Sequence, residues 1–154
     1  ASGKDEEGHY RAVSSSFMVS ADNAHAVHPN HPEKADPINR PMINKGIVIK
    51  FNAAQHYTTD AVSCAVFRDL CESNDIPVQV FTNRSDTRGG STLGNVSNAH
   101  VSLNTVDIGL AQLAMHSCYE TVGARDTKHL VEAMTIFYSK TFRVDAGGSF
   151  ELLD

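Results

Sequence analysis

The sequence predicts an α/β fold, a mixed β-sheet sandwiched between helices, on three observations. Gly46-Ile47-Val48-Ile49-Lys50-Phe51-Asn52 is a nearly continuous β-branched run, the pattern of a strand buried on both faces. Residues 61–73 carry apolar side chains at Val62, Ala65, Val66 and Leu70, a stripe of helical period. Further short apolar runs alternate with a second helical pattern near the end of the chain, the order of an α/β sandwich. The 154 residues are one domain's worth of chain, and a 41% apolar fraction suffices for a core.

Taken in order, residues 1–14 read as a flexible or partly helical leader, with a short helix around Tyr10. Residues 16–20 form a buried strand. Residues 28–44 hold Pro29, Pro32, Pro37 and Pro41; each fixes φ and removes a donor, so this stretch is an irregular loop. Loops of that length in compact domains are usually functional. After the 46–52 strand, Asp60 caps the 61–73 helix and Ile76-Pro77 closes it. Residues 78–81 form a short strand, and residues 83–94 a polar turn with Gly89, Gly90 and Gly94. Residues 105–108 form the next strand. Asp126 caps a second helix with Leu130, Met134, Phe137 and Tyr138 on one face. The body of the domain is then 15–142, and 143–154 a frayed tail.

Composition excludes several functions. Net charge is −5 with interspersed signs, so no basic stripe invites nucleic acid. The mean hydropathy is −0.26, no apolar run approaches the roughly 18 residues of a membrane span, and Lys4-Asp5-Glu6-Glu7 does not read as a signal peptide. Cys64, Cys71 and Cys118 are an odd number without a CxxC pair, which points to reduced thiols and a cytoplasmic setting. Cys64 and Cys71 share a helix face and read as small buried apolar residues.

The chemistry concentrates in Ser20-Ala21-Asp22-Asn23-Ala24-His25-Ala26-Val27-His28-Pro29-Asn30. A strand ends there in a polar turn with one carboxylate and two imidazoles within seven residues. Carboxylate oxygen and neutral imidazole nitrogen are donors that zinc accepts at about 2.0–2.2 Å. A further candidate, His116, lies in Gln112-Leu113-Ala114-Met115-His116-Ser117. Ligands in α/β sheets gather at the carboxyl ends of strands; Asp22, Lys50 and the turn after Phe81 are expected together there, with His116 one loop beyond the 105–108 strand. Each also has an ordinary reading: Asp22 as an Asx turn, His116 as a surface histidine, Lys50 as a solvated charge, Tyr57 as core. His28, His31 and His56 read as loop or packing residues. The Gly89-Gly90-Ser91-Thr92 turn lacks the P-loop lysine pattern, so it does not argue for phosphate.

These segments resemble the aspartyl aminopeptidase family of zinc metallopeptidases. The resemblance runs through the Ser20–Asn30 motif, Arg40-Pro41, Lys45-Gly46-x-Val48-Ile49-Lys50-x-Asn52-x-x-Gln55-x-Tyr57, Gly90-Ser91-Thr92-Leu93-Gly94, Thr105-Val106-Asp107-Ile108-Gly109 and the Gln112–Ser117 motif. It covers residues 17–138. It implies a two-zinc site, with cobalt or manganese as alternatives, in which Asp22 ligates one metal and His116 the other. It also implies a substrate pocket formed by Asp22, His25, Lys50 and Tyr57, with Lys50 meeting the acidic side chain of the substrate's first residue. A cation in a partly desolvated pocket suits that role on physical grounds. The implied substrate is a peptide with a free N-terminus, and the implied assembly is a homo-oligomer.

Family members take another His ligand, the bridging Asp and a Glu-Glu pair from sequence N-terminal to this segment. The sequence therefore reads as the C-terminal part of the catalytic domain, holding no catalytic base of its own, and its partner is the remainder of the peptidase chain. Glu6-Glu7 does not occupy the family context. Two readings stay open: a metallo-aminopeptidase segment inactive by itself, or a non-catalytic scaffold or assembly piece that keeps the fold.

Overall fold

The computed structural model describes residues 5–145 and 149–153. In order, the elements are helix α1 (Glu6–Ser14), strands β1 (Phe17–Ala21), β2 (Ala24–His25) and β3 (Ile47–Phe51), helix α2 (Ala61–Glu72), strand β4 (Val78–Thr82), and helix α3 (Leu93–Asn98). They continue with β5 (Asn104–Gly109), β6 (Ala111–Leu113), β7 (Thr121–Val122), helix α4 (Ala124–Ser139), β8 (Thr141–Val144) and β9 (Phe150–Leu153). The central sheet has the order β1-β5-β3-β4, a small second sheet the order β2-β6-β7, and β8 pairs with β9. The predicted mixed α/β class is what folds.

The central sheet is mixed in a particular way. β1 runs parallel to β5, β3 runs parallel to β4, and β5 and β3 meet antiparallel, with Ile49 opposite Ile108. The carboxyl ends of β1 and β3 therefore point in opposite directions, which corrects the expectation that Asp22, Lys50 and the turn after Phe81 share one sheet end. What they share is a face. Ile47 and Ile49 of β3 and Val106 and Ile108 of β5 pack on one side against Phe67, Leu70 and Cys71 of α2 and Ala133 of α4. Alternation then sends Val48 and Lys50 to the other side, where Val48 packs with Ala24, Tyr57, Phe81 and Ala111. The short α3 covers part of that same side, since a Cβ on Gly94 would meet Ser20 and Asp107.

Helix α2 begins as the sequence indicates. The Asp60 carboxylate accepts from the backbone N–H of Ser63 at 2.7 Å, and the Ser63 hydroxyl accepts from the Asp60 N–H at 3.0 Å, a reciprocal cap. Its buried stripe, however, is Ser63, Phe67, Leu70 and Cys71, with Val62 outward. The stripe read from Val62, Ala65 and Val66 is rotated from the true one because Phe67 has the largest area to bury. On α4, Leu130, Met134 and Phe137 face the core, whereas Tyr138 is 79% exposed.

Asp126 is not the cap of α4. The helix starts two residues earlier, after Gly123, and Asp126 is fully buried within its first turn. Its carboxylate accepts from the N–H groups of Asn44 at 2.6 Å and Gly46 at 2.8 Å. Asn44 answers by accepting the Arg125 N–H on its side-chain oxygen at 3.0 Å. Asn44 and Gly46 both have positive φ, 63° and 108°, and a Cβ on Gly46 would lie 2.0 Å from the Pro77 carbonyl oxygen. This clamp fixes how the chain enters β3, so it sets where Lys50 sits.

Two terminal expectations fare differently. Residues 6–14 are helical, as the Tyr10 region suggested, while residues 1–4 lie outside the described residues. Within the predicted tail, the described residues 143–144 and 150–153 are strand: β8 pairs antiparallel with β9, with Phe142 and Phe150 ring centroids 5.3 Å apart. Residues 146–148, part of the predicted tail, lie outside the described residues, as does residue 154. Among the described residues no helix is long and apolar enough to cross a membrane.

Two outcomes follow from this packing. Asp126→Ala orphans two backbone donors, so chemical denaturation should show a loss of about 2–6 kcal/mol, at roughly 1–3 kcal/mol per buried unsatisfied group. Burial pushes the Cys71 thiol up to about 12, while Cys118 is exposed. Since the thiolate is the reactive species, a maleimide at neutral pH should label Cys118 within minutes and leave Cys71 unmodified until denaturant is added, as read by peptide mass mapping.

Candidate active site

A cavity of about 250 Å³ opens on the sheet face away from α2 and α4, and Asp22, His25, Lys50, Tyr57 and His116 all line it. All five residues singled out in the sequence thus come together at one place. They arrive from five different segments, and each is held by its own local geometry.

Asp22 directly follows β1. Its N–H donates to the Ile108 carbonyl at 2.9 Å, so the chain leaves β1 by crossing β5. Gly109 permits the crossing, since a Cβ there would lie 1.9 Å from the Asp22 carbonyl oxygen. Asn23 fastens the next step: its side-chain amide donates to Gln112 at 2.7 Å and its side-chain oxygen accepts the Leu110 N–H at 3.1 Å. The Asp22 carboxylate itself stays 56% exposed, with Lys50 Nζ 3.6 Å from Oδ2 as its partner among the described residues.

Lys50 is the opposite case, with only 2% of its surface exposed. Its ammonium donates to the backbone carbonyls of Asp22 at 3.0 Å and Asn23 at 3.4 Å, and lies 4.9 Å from the centre of the Tyr57 ring. Burial pulls its pKa down from the usual lysine value, while the charges of Asp22 and Asp107 pull it back up. An ammonium has three donors; two go to these carbonyls, and the third faces the Asp22 carboxylate, 3.6 Å away. Tyr57, itself buried, packs on Phe81 with ring centroids 6.2 Å apart, and its hydroxyl accepts from the Asn83 amide at 3.4 Å.

His25 ends β2, where the pairing of Ala24 with Ala111 and His25 with Gln112 fixes its position. Partial burial lowers its pKa, and the neighbouring His116 and Lys50 lower it further. His25 is therefore held toward the neutral form, with one nitrogen able to accept and the other to donate. His116 is exposed on a turn after β6 with φ of 67°, and Ala114 before it has φ of 55°. Non-glycine residues rarely adopt that region. The turn is held by the His116 N–H donating to the Glu120 carboxylate at 2.6 Å and the Ser117 N–H donating to Ala114 at 3.0 Å. The imidazole has no hydrogen-bond partner among the described residues.

Sequence reasoning assigned no role to Asp107. It is fully buried, and its Oδ2 accepts from the Thr58 N–H at 2.6 Å and the Thr58 hydroxyl at 2.7 Å. Its own N–H donates to the Thr59 hydroxyl at 2.8 Å. Asp107 thereby anchors the loop that carries Tyr57, and its Oδ1 is buried without a partner among the described residues. The available signal was an acid inside the otherwise apolar Val106-Asp107-Ile108 run, since a charge in a buried strand needs a specific reason. Glu6 and Glu7 lie on α1, bonded to Tyr10 and Arg11, and take no part in the cavity.

An open carboxylate and an unpartnered imidazole on the walls of one cavity suit a divalent metal as donors of the right chemical type. Among the described residues no three His, Cys, Asp or Glu side chains gather to hold one by themselves.

The sequence profile described as "Aminopeptidase I zinc metalloprotease (M18)" matches residues 1–138. The chain is 51% identical over 137 residues to a probable M18 family aminopeptidase 2 of Clostridium acetobutylicum, covering 89% of this chain and 32% of that protein. It is 46% identical over 135 residues to the protein of the same name from Stutzerimonas stutzeri, covering 88% and 32%. Its fold superimposes with a TM-score of 0.86 on a chain of "Cryo-EM structure of the Ape4 and Nbr1 complex", at 38% identity over 88% of this chain and 26% of that one. With "Structure of S. cerevesiae mApe1 dodecamer" the TM-score is 0.75, at 29% identity over 84% and 28%. The chain spans about a third of the length of the curated relatives it matches, and it belongs to the M18 family of zinc metallo-aminopeptidases.

Proposed function

We propose that this chain is the part of a zinc-dependent aminopeptidase that binds the substrate's first residue and supplies one ligand to each of two neighbouring metals. Asp22 serves one metal and His116 the other. The remaining ligands and the general base come from the rest of the enzyme, outside these 154 residues. The substrate is a peptide with a free N-terminus, with Asp or Glu preferred as its first residue. The setting is cytoplasmic. The working form is a homo-oligomer, a reading supported by the dodecamer that the similar mApe1 protein forms.

The observation that carries this reading is the buried Lys50 ammonium beside the exposed Asp22 carboxylate, in a cavity that His116 also lines. Zinc, when bound, polarises the scissile carbonyl and makes water a better nucleophile at neutral pH; cobalt or manganese would serve the same role. This chain's own residues do the rest of what it contributes. With Asp22 turned to a metal, the Lys50 N–H that faces it would serve a carboxylate on the substrate, in a desolvated place where a charge-assisted bond is strong. Tyr57 walls that place and limits its length. His25, held toward the neutral form, donates to the reacting carbonyl oxygen without adding positive charge near Lys50. Glu120 and Gly109 act at one remove, by fixing the backbones of His116 and Asp22.

In the complete enzyme, Lys50→Met should lower kcat/KM for Asp- and Glu-peptides by roughly 10- to 150-fold, the equivalent of one charged hydrogen bond at about 1.5–3 kcal/mol. Leu-peptides should lose far less. Equal losses on both substrate classes would remove Lys50 from specificity. Metal analysis gives the second test: Asp22→Ala and His116→Ala should each reduce bound zinc in the complete enzyme, and the isolated 154-residue chain should bind zinc weakly and hydrolyse no Asp-nitroanilide. Full zinc content in both variants would defeat the ligand assignment. A complete enzyme that binds no metal and cleaves no peptide would favour the scaffold reading instead.

A further inference from the structure

We propose that a second cavity beside the first receives the side chain of the peptide residue following the scissile bond, and that it selects a bulky apolar or aromatic side chain there. The inference rests on the aminopeptidase reading above. The second cavity has a volume of about 260 Å³, on the scale of a single residue and below the range of pockets built for larger ligands. It shares His25, Phe81, Asn83 and Thr87 with the first. A peptide whose first side chain reaches Lys50, and whose scissile bond lies near Asp22 and His116, must continue out of the first cavity. The shared wall leads it into the second.

The lining sets the preference. Pro41 is fully buried, Phe81 is 7% exposed, and the small side chains of Ala26 and Ala35 leave the volume open. The rings of His28 and His31 stand 5.4 Å apart and add aromatic faces. His28 Nδ1 accepts the Asn30 N–H at 3.1 Å, so its neutral ring carries the proton on Nε2.

The charges around the cavity are largely spent on each other. The Arg84 guanidinium bonds both oxygens of Asp86 at 2.8 and 2.6 Å. One Asp36 oxygen takes the N–H groups of Ile38 at 3.0 Å and Asn39 at 2.6 Å. Lys34 and Asp36 offset each other in the lining, so the apolar walls set the preference.

The walls of the cavity are also bonded to each other. The Val27 N–H donates to Pro41 at 2.9 Å, and Arg84 donates to the Glu33 carbonyl, which ties the proline-rich loop to the turn after β4. Preorganised walls lose little ordering entropy on binding.

The test is a dipeptide series Asp-Gly, Asp-Leu, Asp-Phe and Asp-Lys with the complete enzyme. The expected kcat/KM for Asp-Phe exceeds that for Asp-Gly by about tenfold or more, within the span that apolar pocket contacts give, and Asp-Lys falls below Asp-Leu. Ala35→Trp fills the cavity and should bring Asp-Phe below Asp-Gly. Lys34→Glu, on an exposed loop, should raise Asp-Lys relative to Asp-Leu. Equal rates across Gly, Leu and Phe, or an Asp-Phe preference that survives Ala35→Trp, would overturn the subsite while leaving the aminopeptidase intact. Hydrolysis of none of the four by a folded, metal-loaded enzyme would overturn the aminopeptidase reading, and the subsite with it.

Discussion

Burying an ammonium is the constraint around which this domain is organised. An isolated charge removed from water costs several kcal/mol unless it is paired and hydrogen-bonded. Lys50 is nearly inaccessible in the middle of a sheet face, so its surroundings must supply acceptors. They do so with backbone: the carbonyls of Asp22 and Asn23, brought there because the chain leaving β1 crosses β5 at Gly109. The Tyr57 ring covers another side, and Asp107, which anchors the Tyr57 loop, adds negative charge from below. The lysine thus shapes the turn that carries the Asp22 carboxylate, and positioning that carboxylate and solvating the ammonium are one structural act.

The strand directions explain why the site lies on a face and not at an edge. In a wholly parallel sheet the loops after each strand collect at one end. Here the antiparallel contact between β3 and β5 sends the ends of β1 and β3 in opposite directions, and no single end could gather their residues. The chain resolves this by running β2 and β6 as a second small sheet across the first, linked to it through Asp22, Asn23 and Leu110. His25 reaches the cavity on that second layer, and His116 follows β6 on its strained turn. The face toward α2 and α4 carries the larger apolar cluster, and the candidate site lies on the other.

Much of this was legible from residue order, for identifiable reasons. β3 was clear because a β-branched run of that length has few alternatives, and α2 because Asp60 and Ser63 encode its start locally. The five cavity residues were legible through their motifs. What escaped is what depends on distant partners. Asp126 looked like a cap because acids favour helix starts, yet its partners are Asn44 and Gly46, some eighty residues earlier. The antiparallel β3–β5 pairing leaves no periodic mark. Strands β6 and β7 and helix α3 are two to six residues long, too short for periodicity to show, and the hairpin of β8 and β9 was masked by a glycine-containing connection. Asp107 sat in a quoted motif without a role, since only its contact with Thr58 gives it one.

The division of exposure among the site residues bears on how such an enzyme is put together. Lys50, Tyr57 and Asp107 are buried by this chain alone. The Asp22 carboxylate and the His116 imidazole are open, with strong backbone anchors and few side-chain partners. Groups meant to contact solvent alone would need no such anchoring, and His116 would not occupy a left-handed conformation at a cost of order 1–3 kcal/mol. Anchored backbone with unspent donor atoms is the state expected of ligands whose remaining partners come from elsewhere. A catalytic centre shared in this way would bind metal tightly only once both parts are folded together, because three or four donors are needed for tight binding. Specificity can then be carried by one segment of the chain and reactivity by another, and on the function proposed above the sheet face described here is the specificity half.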